Sequence, residues 1–325
     1  MAELPQRGAV VGCGVIGAAW AARMRLRGID VSAYDPSPNA SGILDDVLAD
    51  AVSAWQALGL STDHVASLTL CASIEEAVAD AGLIQESVPE RLDIKHSTLA
   101  AIDAAAPADA IVASSTSGYK PTDLATSMTR PERLVVAHPF NPVYLLPLVE
   151  IVGGEQTSLG TIDRAMGTYR ALGMHPLHVR KEIDAFIADR LLEAVWREAL
   201  WLVNDGIATT EEIDDAIRYG FGLRWAQMGT FETYRIAGGE GGMRHFMEQF
   251  GPALKWPWTK LMDTPELTDE LIDTIAEQSD EQAAGRSIRD LAQERDRNLV
   301  AILRALESVD AGAGKTITNL RALQS

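Results

Sequence analysis

A glycine-rich turn near the start of the chain constrains the fold more than any other feature of the sequence. It follows a short apolar run at residues 9–11, opens a helical pattern, and comprises Gly12, Cys13, Gly14, Val15, Ile16 and Gly17. In such a turn the first glycine permits the tight bend, the second lets a pyrophosphate approach the backbone, and the third allows the helix to pack closely on the sheet. The pattern therefore predicts a βαβ unit that binds a dinucleotide.

An acidic residue at the end of the next predicted strand indicates which dinucleotide is bound. Asp35 follows the β-like run at residues 30–34. A carboxylate at this point can accept hydrogen bonds from a ribose diol and repels a 2′-phosphate, which favours NAD over NADP. The first two turns of the predicted helix, residues 15–22, contain no carboxylate that would compete with phosphate for the N-terminal amides. FAD uses the same glycine pattern, but no further segment suited to a flavin ring stands out.

Strand-like and helical patterns alternate up to about Lys181. Seven runs have the character of strands, and several of them are nearly unbroken apolar, which is typical of strands buried on both faces of a parallel sheet. They lie at residues 9–11, 30–34, 67–70, 83–85, 110–113, 134–137 and 148–152. From Ile183 onward apolar residues recur at helical spacing, and Thr209 with Glu212 forms a capping-box pattern for a further helix. We therefore expect an α/β chain, with a Rossmann-type, doubly wound, mainly parallel sheet in residues 1–181 and an all-helical domain in residues 182–325.

The charge balance argues against several classes of partner. Lys and Arg number 28 against 46 Asp and Glu, which gives a formal net charge of -18. Such a chain repels nucleic acid and anionic membrane surfaces, so neither is expected as a partner. The two cysteines, Cys13 and Cys71, form neither a disulfide framework nor a metal-ligand spacing. We expect no metal site and a cytoplasmic location.

Three polar residues are candidates for catalysis. Ser117 and His138 follow predicted strands, and Glu150 lies within the next one. Ligands of open α/β sheets bind beyond the carboxyl ends of the strands, which is where Ser117 and His138 are expected. A histidine suits alcohol oxidation because its ordinary pKa, about 6.5, lies near the operating pH, and a neighbouring carboxylate would orient the ring and stabilise its charged form. Taken alone, a purely structural histidine is the alternative.

The order and spacing of these motifs resemble the L-3-hydroxyacyl-CoA dehydrogenase superfamily over nearly the whole chain. The resemblance implies that His138 is the general base, Glu150 its partner, and Ser117 a hydrogen-bond donor to the reacting oxygen. It also implies that Glu90 and Lys95 contact NAD, and that the helical domain binds substrate and forms a homodimer. The matching segments are Ser114 to Ser117, His138 to Pro142, Leu148 to Glu150, and the helical region that follows.

One position departs from the pattern of this superfamily. Its members carry a catalytic-site Asn before an Arg-Leu pair, whereas this sequence has Asp189 before Arg190 and Leu191. An ionised Asp only accepts hydrogen bonds, while Asn also donates, so the role of holding a thioester substrate does not transfer directly. Two interpretations stay open for Asp189, namely a role directed at the substrate or the site, and a structural ion pair.

The substrate is expected to be a small free hydroxy acid. The segments around Arg224, Trp225 and Phe231 resemble the branch of the superfamily that oxidises L-carnitine and L-gulonate, and the whole pattern is most similar to the carnitine-oxidising members. The quaternary ammonium of carnitine is best held by aromatic faces and negative potential, and its carboxylate requires a cation. Candidate substrate contacts are Phe140, Asn141, Asp189, Arg190, Arg224, Trp225 and Phe231, with Tyr144, Tyr234, Trp256 and Trp258 as further aromatic candidates.

Three alternatives to carnitine oxidation remain. The first two are an L-gulonate dehydrogenase and a short-chain 3-hydroxyacyl-CoA dehydrogenase. A CoA nucleotide calls for basic surface near the cleft, which the net charge of -18 disfavours. The third is a protein that binds NAD for a structural or redox-sensing purpose. The presence of Ser117, His138 and Glu150 together argues against the third alternative, because nucleotide binding alone does not require them.

Overall fold

A computed structural model describes residues 4–238, 240, 242–250 and 265–324. The chain divides into two compact units. The first, here called the sheet unit, comprises Met1–Asp189, Arg295–Val309 and Ala313–Ser325. The second, the helical unit, comprises Arg190–Glu294 and Asp310–Gly312.

The sheet unit is built on a mainly parallel sheet of eight strands, as the α/β pattern of the sequence predicts. The spatial order is β3-β2-β1-β4-β5-β6-β7-β8, and all neighbouring pairs are parallel except the antiparallel pair β6 and β7. The seven predicted strands are all present, and an eighth that the sequence analysis missed forms the edge beyond β7. The strands are β1 Arg7–Val11, β2 Asp30–Tyr34, β3 Leu68–Leu70, β4 Leu83–Glu86, β5 Ile111–Ser114, β6 Leu134–Pro139, β7 Leu148–Val152 and β8 His175–Val179.

Helices cover both faces of this sheet. Because successive side chains of a strand point to opposite faces, neighbouring residues of β1 enter different cores. Val10 lies in the same apolar core as Trp55 and Tyr169, whereas Val11 lies in a second core with Leu99. The helices of this part of the chain are α1 Val15–Leu26, α2 Ala40–Ala57, α3 Ile74–Val78, α4 Leu92–Ala105, α5 Pro121–Ala125 and α6 Leu159–Ala171, with a short 3-10 helix at Pro131–Arg133.

The remainder of the described chain is helical, as predicted. Its helices are α7 Ala188–Asn204, α8 Thr210–Ala216, α9 Gly222–Trp225, α10 Thr230–Ala237, α11 Gly242–Phe250, α12 Asp269–Ala283, α13 Ile288–Ser308 and α14 Gly314–Gln324, with a π-helical turn at Ile217–Phe221. The capping box of Thr209 and Glu212 begins α8 as the sequence predicts. No helix among the described residues is long and apolar enough to span a lipid bilayer.

Part of α13 and all of α14 belong to the sheet unit, although the sequence pattern places residues 182–325 in a helical domain. Val300 and Leu303 of α13, with Ile317 and Leu320 of α14, are buried in one core of the sheet unit. Helical periodicity identifies such apolar faces but does not indicate which core they join. The division of the chain is therefore less simple than a single boundary near residue 181.

Candidate active site

The glycine-rich turn joins β1 to α1 in the geometry that a dinucleotide requires. Gly12 has a φ of 93°, in the left-handed region that favours glycine, and a Cβ there would lie 2.6 Å from the carbonyl oxygen of Ser87. A Cβ on Gly17 would collide with the carbonyl of Gly12, so α1 packs against the turn only because Gly17 lacks one. At Gly14, by contrast, a Cβ would have no neighbour within 4 Å, so the backbone is open on that side.

The N-terminus of α1 has the properties of a phosphate-binding site. No side chain caps it, and its first turn contains no acidic residue, so its amide dipoles are available to an anion. Asp35 lies beside this turn, where its Oδ2 accepts a hydrogen bond from the backbone amide of Cys13 at 2.7 Å. These residues fit NAD, with the turn from Gly12 to Gly17 facing the pyrophosphate and Asp35 facing a ribose diol. When bound, NAD supplies the acceptor for a hydride.

Cys13 lies within the turn, but its environment makes the thiol unreactive. The side chain is buried, and Sγ contacts the carbonyl oxygen of Tyr34 at 3.7 Å. Burial, assisted by the negative charge of Asp35, raises the pKa of the Cys13 thiol to about 12. Because the thiolate is the reactive form, this environment leaves the Cys13 thiol unreactive at neutral pH.

His138 and Glu150 are brought together by strand pairing. They lie directly opposite each other in the antiparallel pair β6 and β7. The His138 Nδ1 and Glu150 Oε2 atoms are 3.0 Å apart, and both side chains are buried. A carboxylate can only accept here, so Nδ1 carries the hydrogen and Nε2 of the neutral ring carries the lone pair. The arrangement therefore leaves Nε2 as the basic atom.

The second oxygen of Glu150 holds the start of α7. Its Oε1 accepts hydrogen bonds from the backbone amides of Ile187, at 2.9 Å, and Ala188, at 3.1 Å. The chain reaches these amides through Ala185 and Phe186, whose φ values are 57° and 47°. Non-glycine residues in this left-handed region cost about 1 to 3 kcal/mol each, so the surrounding contacts must hold the turn in place.

Two aromatic rings and a second carboxylate surround the imidazole. The ring centroids of Phe140 and Phe186 lie 5.2 and 5.6 Å from that of His138. On the other side, Oδ2 of Asp189 is 3.5 Å from the His138 Nε2 atom. The structure therefore places a carboxylate oxygen of Asp189 beside the basic nitrogen, and the two interpretations of this residue stay predictions.

Ser117 lies in the loop that follows β5, at the same edge of the sheet as the end of β6, and its side chain is exposed. Its two neighbours are anchored by Glu90. The Glu90 Oε1 atom accepts a short hydrogen bond from the Thr116 hydroxyl and a second from the Gly118 backbone amide at 3.3 Å. Glu90 thus holds the residues immediately before and after Ser117 in the loop.

Lys95 and Glu86 form the buried base of this loop. The Lys95 Nζ atom donates hydrogen bonds to Glu86 Oε1 at 3.0 Å and to the carbonyl oxygen of Val88 at 3.3 Å, and it forms an ion pair with Glu90 Oε2 at 3.2 Å. Glu86 also accepts a hydrogen bond from the Ser114 hydroxyl. The contacts of Glu90 and Lys95 with NAD stay predictions. Glu86 was missed, and its signal was a charged residue at the end of an otherwise buried strand.

The other predicted substrate contacts lie in several parts of the chain. Asn141 is exposed just after β6, next to a cis peptide bond with Pro142. Tyr144, by contrast, is buried in the core of the sheet unit, where its hydroxyl donates to Asp296 Oδ2 at 2.5 Å. Burial, with the hydrogen bond to Asp296, raises the pKa of Tyr144. A phenol held in this way is a structural element rather than part of a substrate wall.

The predicted contacts of the helical unit are exposed within that unit. They are Arg190, Arg224, Trp225, Phe231 and Tyr234, whereas Trp256 and Trp258 lie outside the described residues. Trp225 packs edge-on against Phe221, with ring centroids 4.6 Å apart. Among the residues that the structure describes, no three His, Cys, Asp or Glu side chains could hold a metal ion.

A dinucleotide-binding turn and a buried imidazole–carboxylate pair at the carboxyl ends of one sheet define an NAD-dependent dehydrogenase. Comparison with known proteins agrees with this class. The model of the 3-hydroxyacyl-CoA dehydrogenase NAD binding domain matches residues 8–183, and the model of the C-terminal domain matches residues 186–276. The chain belongs to the 3-hydroxyacyl-CoA dehydrogenase family.

Several curated relatives are similar over nearly the whole chain. An L-carnitine dehydrogenase of Mesorhizobium japonicum is 62% identical, over 95% of this chain and 85% of the relative. An L-carnitine dehydrogenase of Pseudomonas putida is 57% identical, over 96% of this chain and 97% of the relative. An L-carnitine dehydrogenase/betainyl-CoA thioesterase of Agrobacterium fabrum is 60% identical, and the chain spans 63% of its length.

A solved structure has the same architecture. It is that of a 5-formyl-3-hydroxy-2-methylpyridine 4-carboxylic acid 5-dehydrogenase, described as an NAD+-dependent dismutase, with a TM-score of 0.79 and 29% identity. The match covers 94% of this chain and 99% of that one. The similarity therefore includes both the sheet region and the helical region.

Proposed function

We propose that this chain oxidises L-carnitine to 3-dehydrocarnitine with NAD. The observation that carries the chemistry is the buried pair of His138 and Glu150, which leaves the lone pair of Nε2 at the carboxyl ends of the strands. The choice of carnitine is supported by the names of relatives that are 62% and 57% identical over nearly the whole chain.

In this reaction His138 accepts the proton of the substrate hydroxyl at Nε2. Glu150 fixes the ring through Nδ1 and stabilises the imidazolium ion that forms, because an opposite charge within hydrogen-bond distance favours the charged state. Ser117 donates a hydrogen bond to the reacting oxygen from a loop anchored by Glu90. The proton held at Nε2 passes to water after the carbonyl product leaves.

We also propose a cytoplasmic homodimer. The helical unit exposes large apolar side chains on α7, and Leu191, Leu192 and Trp196 are each more than half exposed. Leu192 and Trp196 are one turn apart on α7, and exposed apolar side chains that share a helix face are typical of association faces. The two cysteines, both free and buried, are consistent with a reducing compartment. Light scattering tests the oligomeric state, since a monomer at micromolar concentration would contradict the dimer.

A substrate panel tests the proposed reaction. Purified enzyme with NAD is assayed for NADH formation on L-carnitine, L-gulonate and 3-hydroxybutyryl-CoA. We expect saturable turnover on L-carnitine and a kcat/KM at least about a hundredfold lower on the other two, because an active site with buried polar groups discriminates strongly against substrates that leave those groups unpaired. A preference for either competitor would refute the assignment, as would a complete absence of NADH formation.

A further inference from the structure

The carboxylate of Asp189 is a feature of the active site that base catalysis by His138 does not itself require. Its Oδ2 is 3.5 Å from the basic nitrogen of the ring, and about a fifth of the side chain is exposed (22%). The other ring nitrogen is already held by Glu150. We propose that Asp189 selects substrates with a positive charge beside the reacting carbinol by pairing with the trimethylammonium group of carnitine, an inference that rests on the proposed function.

The covalent structure of the substrate places its charge close to Asp189. The ammonium nitrogen of carnitine is three bonds from the hydroxyl oxygen, a separation of about 3 to 4 Å with ordinary bond lengths. A general base contacts the group that it deprotonates at about 2.6 to 3.2 Å. When the hydroxyl faces Nε2 of His138, the ammonium therefore lies within about 7 Å of that nitrogen, whatever the torsion angles.

Asp189 has the chemistry that this group requires. A quaternary ammonium cannot donate a hydrogen bond, so it is bound by negative potential and by aromatic faces. Asp189 supplies the negative charge without needing a donor, and the half-buried ring of Phe140, 5.2 Å from the imidazole, supplies an aromatic face nearby. An Asn, the residue that the superfamily carries here, would supply no charge.

The same carboxylate also fixes the direction in which the substrate binds. The carboxylate and ammonium of carnitine lie on opposite sides of the carbinol carbon. Asp189 attracts one end and repels the other, so only one of the two orientations about the hydroxyl is favourable. The neutral acyl chain of a 3-hydroxyacyl-CoA would gain nothing from such a charge.

The test separates an effect on the ammonium from an effect on His138. The variant Asp189→Asn keeps the shape and removes the charge. With L-carnitine we expect KM to rise about 10- to 30-fold with kcat within about threefold of wild type, because uniform substrate binding is lost. With 3-hydroxybutanoate, which lacks the ammonium, any fall in kcat/KM should stay within about threefold, the change allowed for the effect of the lost charge on His138. The inhibition constant of 4-trimethylammoniobutanoate, which is carnitine without its hydroxyl, should rise by the same factor as the KM.

The matched control is Asp80→Asn, which makes the same change of charge at the opposite edge of the sheet. Asp80 is exposed and pairs with Arg7, the first residue of β1, at 3.6 Å. This variant should keep the KM of wild type. If Asp189→Asn does not fold, Asp189→Ser removes the same charge with a smaller side chain.

Two results would overturn the inference. An equal loss of kcat/KM on L-carnitine and 3-hydroxybutanoate would mean that Asp189 acts through His138, and an unchanged KM would mean that it does not contact the ammonium. If wild-type enzyme did not oxidise L-carnitine, the proposed function would fail separately. In that case, calorimetry of 4-trimethylammoniobutanoate binding to the NADH-loaded enzyme tests the ammonium contact alone. Equal affinities of wild type and Asp189→Asn would exclude that contact.

Discussion

Replacement of Glu150 by Gln should stop turnover by changing which ring nitrogen of His138 carries the hydrogen. In the wild-type chain, Oε2 of Glu150 accepts from Nδ1, and Oε1 accepts from the backbone amides of Ile187 and Ala188. The Gln side chain has one oxygen and one NH₂ group, so it can serve only one of these two sides as an acceptor.

The count of hydrogen bonds decides how the amide group is oriented. An NH₂ group facing the two backbone amides leaves two buried donors unpaired, at about 1 to 3 kcal/mol each, whereas an NH₂ group facing the ring disturbs one contact. The oxygen therefore stays on the backbone, and Nδ1 must accept from the NH₂ group. Nε2 then carries the hydrogen and cannot accept the substrate proton. In a serine-protease triad, an Asp→Asn substitution that puts the catalytic histidine in the wrong tautomer lowers kcat about 10⁴-fold.

We expect kcat of Glu150→Gln to fall about 10³- to 10⁴-fold with little change in KM or in affinity for NADH. Steady-state NADH formation measures kcat and KM, and a fluorescence titration measures the affinity for NADH. Thermal unfolding verifies that the variant is folded. Glu155→Gln, an exposed residue shortly after β7, is the matched control and should behave as wild type. A folded Glu150→Gln variant that retained more than about a tenth of kcat would refute the tautomer argument.

Three further predictions concern other parts of the sheet unit. Glu86→Gln should lower kcat about tenfold or more in steady-state assays because it loosens the loop that carries Ser117, and unchanged kcat in a folded variant would contradict this. Asp103→Asn breaks a buried pair with Arg133, 2.8 Å long, and should lower the free energy of unfolding in urea by about 3 to 5 kcal/mol. Burial by itself raises the pKa of Asp103, but hydrogen bonds from Arg133 and two backbone amides outweigh it and lower the pKa. The pair therefore stabilises the fold above the unfolded pKa of about 3.9, and wild type should lose this contribution as the pH falls through the lower folded value, whereas Asp103→Asn should not. Cys13, with its pKa raised to about 12, should resist iodoacetamide at neutral pH until the protein unfolds, and rapid labelling of the native enzyme would contradict this expectation.

The features that the sequence predicted well depend on short-range rules. The turn from Gly12 to Gly17 and the position of Asp35 follow from local backbone requirements that each residue meets independently. The proximity of His138 and Glu150 was also predictable, because consecutive strand patterns joined by a short connection pair with each other. The capping box at Thr209 required only four residues of sequence.

The features that the sequence missed depend on tertiary contacts. Strand β8 lies at the edge of the sheet, and His175 and His178 give it no continuous apolar run. Apolar spacing predicted a helix from Ile183, whereas α7 begins at Ala188 because Ala185 and Phe186 adopt the left-handed conformation. That conformation is held by the burial of Phe186 and by Glu150, which is distant in sequence.

Glu86 illustrates a further limit. Its role depends on Lys95 and Ser114, which come from two other elements, and no spacing rule links the three. A buried carboxylate at a strand end indicates that a partner exists, but the identity of the partner is set by the packing of helices on the sheet. The placement of Asp189 beside the His138 Nε2 atom likewise depends on tertiary packing rather than on spacing in the sequence.

The two oxygens of Glu150 have separate partners, since one pairs with the imidazole and the other accepts from backbone amides at the start of α7. Glu150 is therefore needed both for turnover and for the correct start of the helix. A descendant that had lost the reaction and kept only the nucleotide would still retain this glutamate for its architecture, together with the buried histidine that pairs with its other oxygen, while the exposed position 117 would be free to change. Among distant relatives, the serine is therefore a better marker of surviving enzymatic activity than the glutamate.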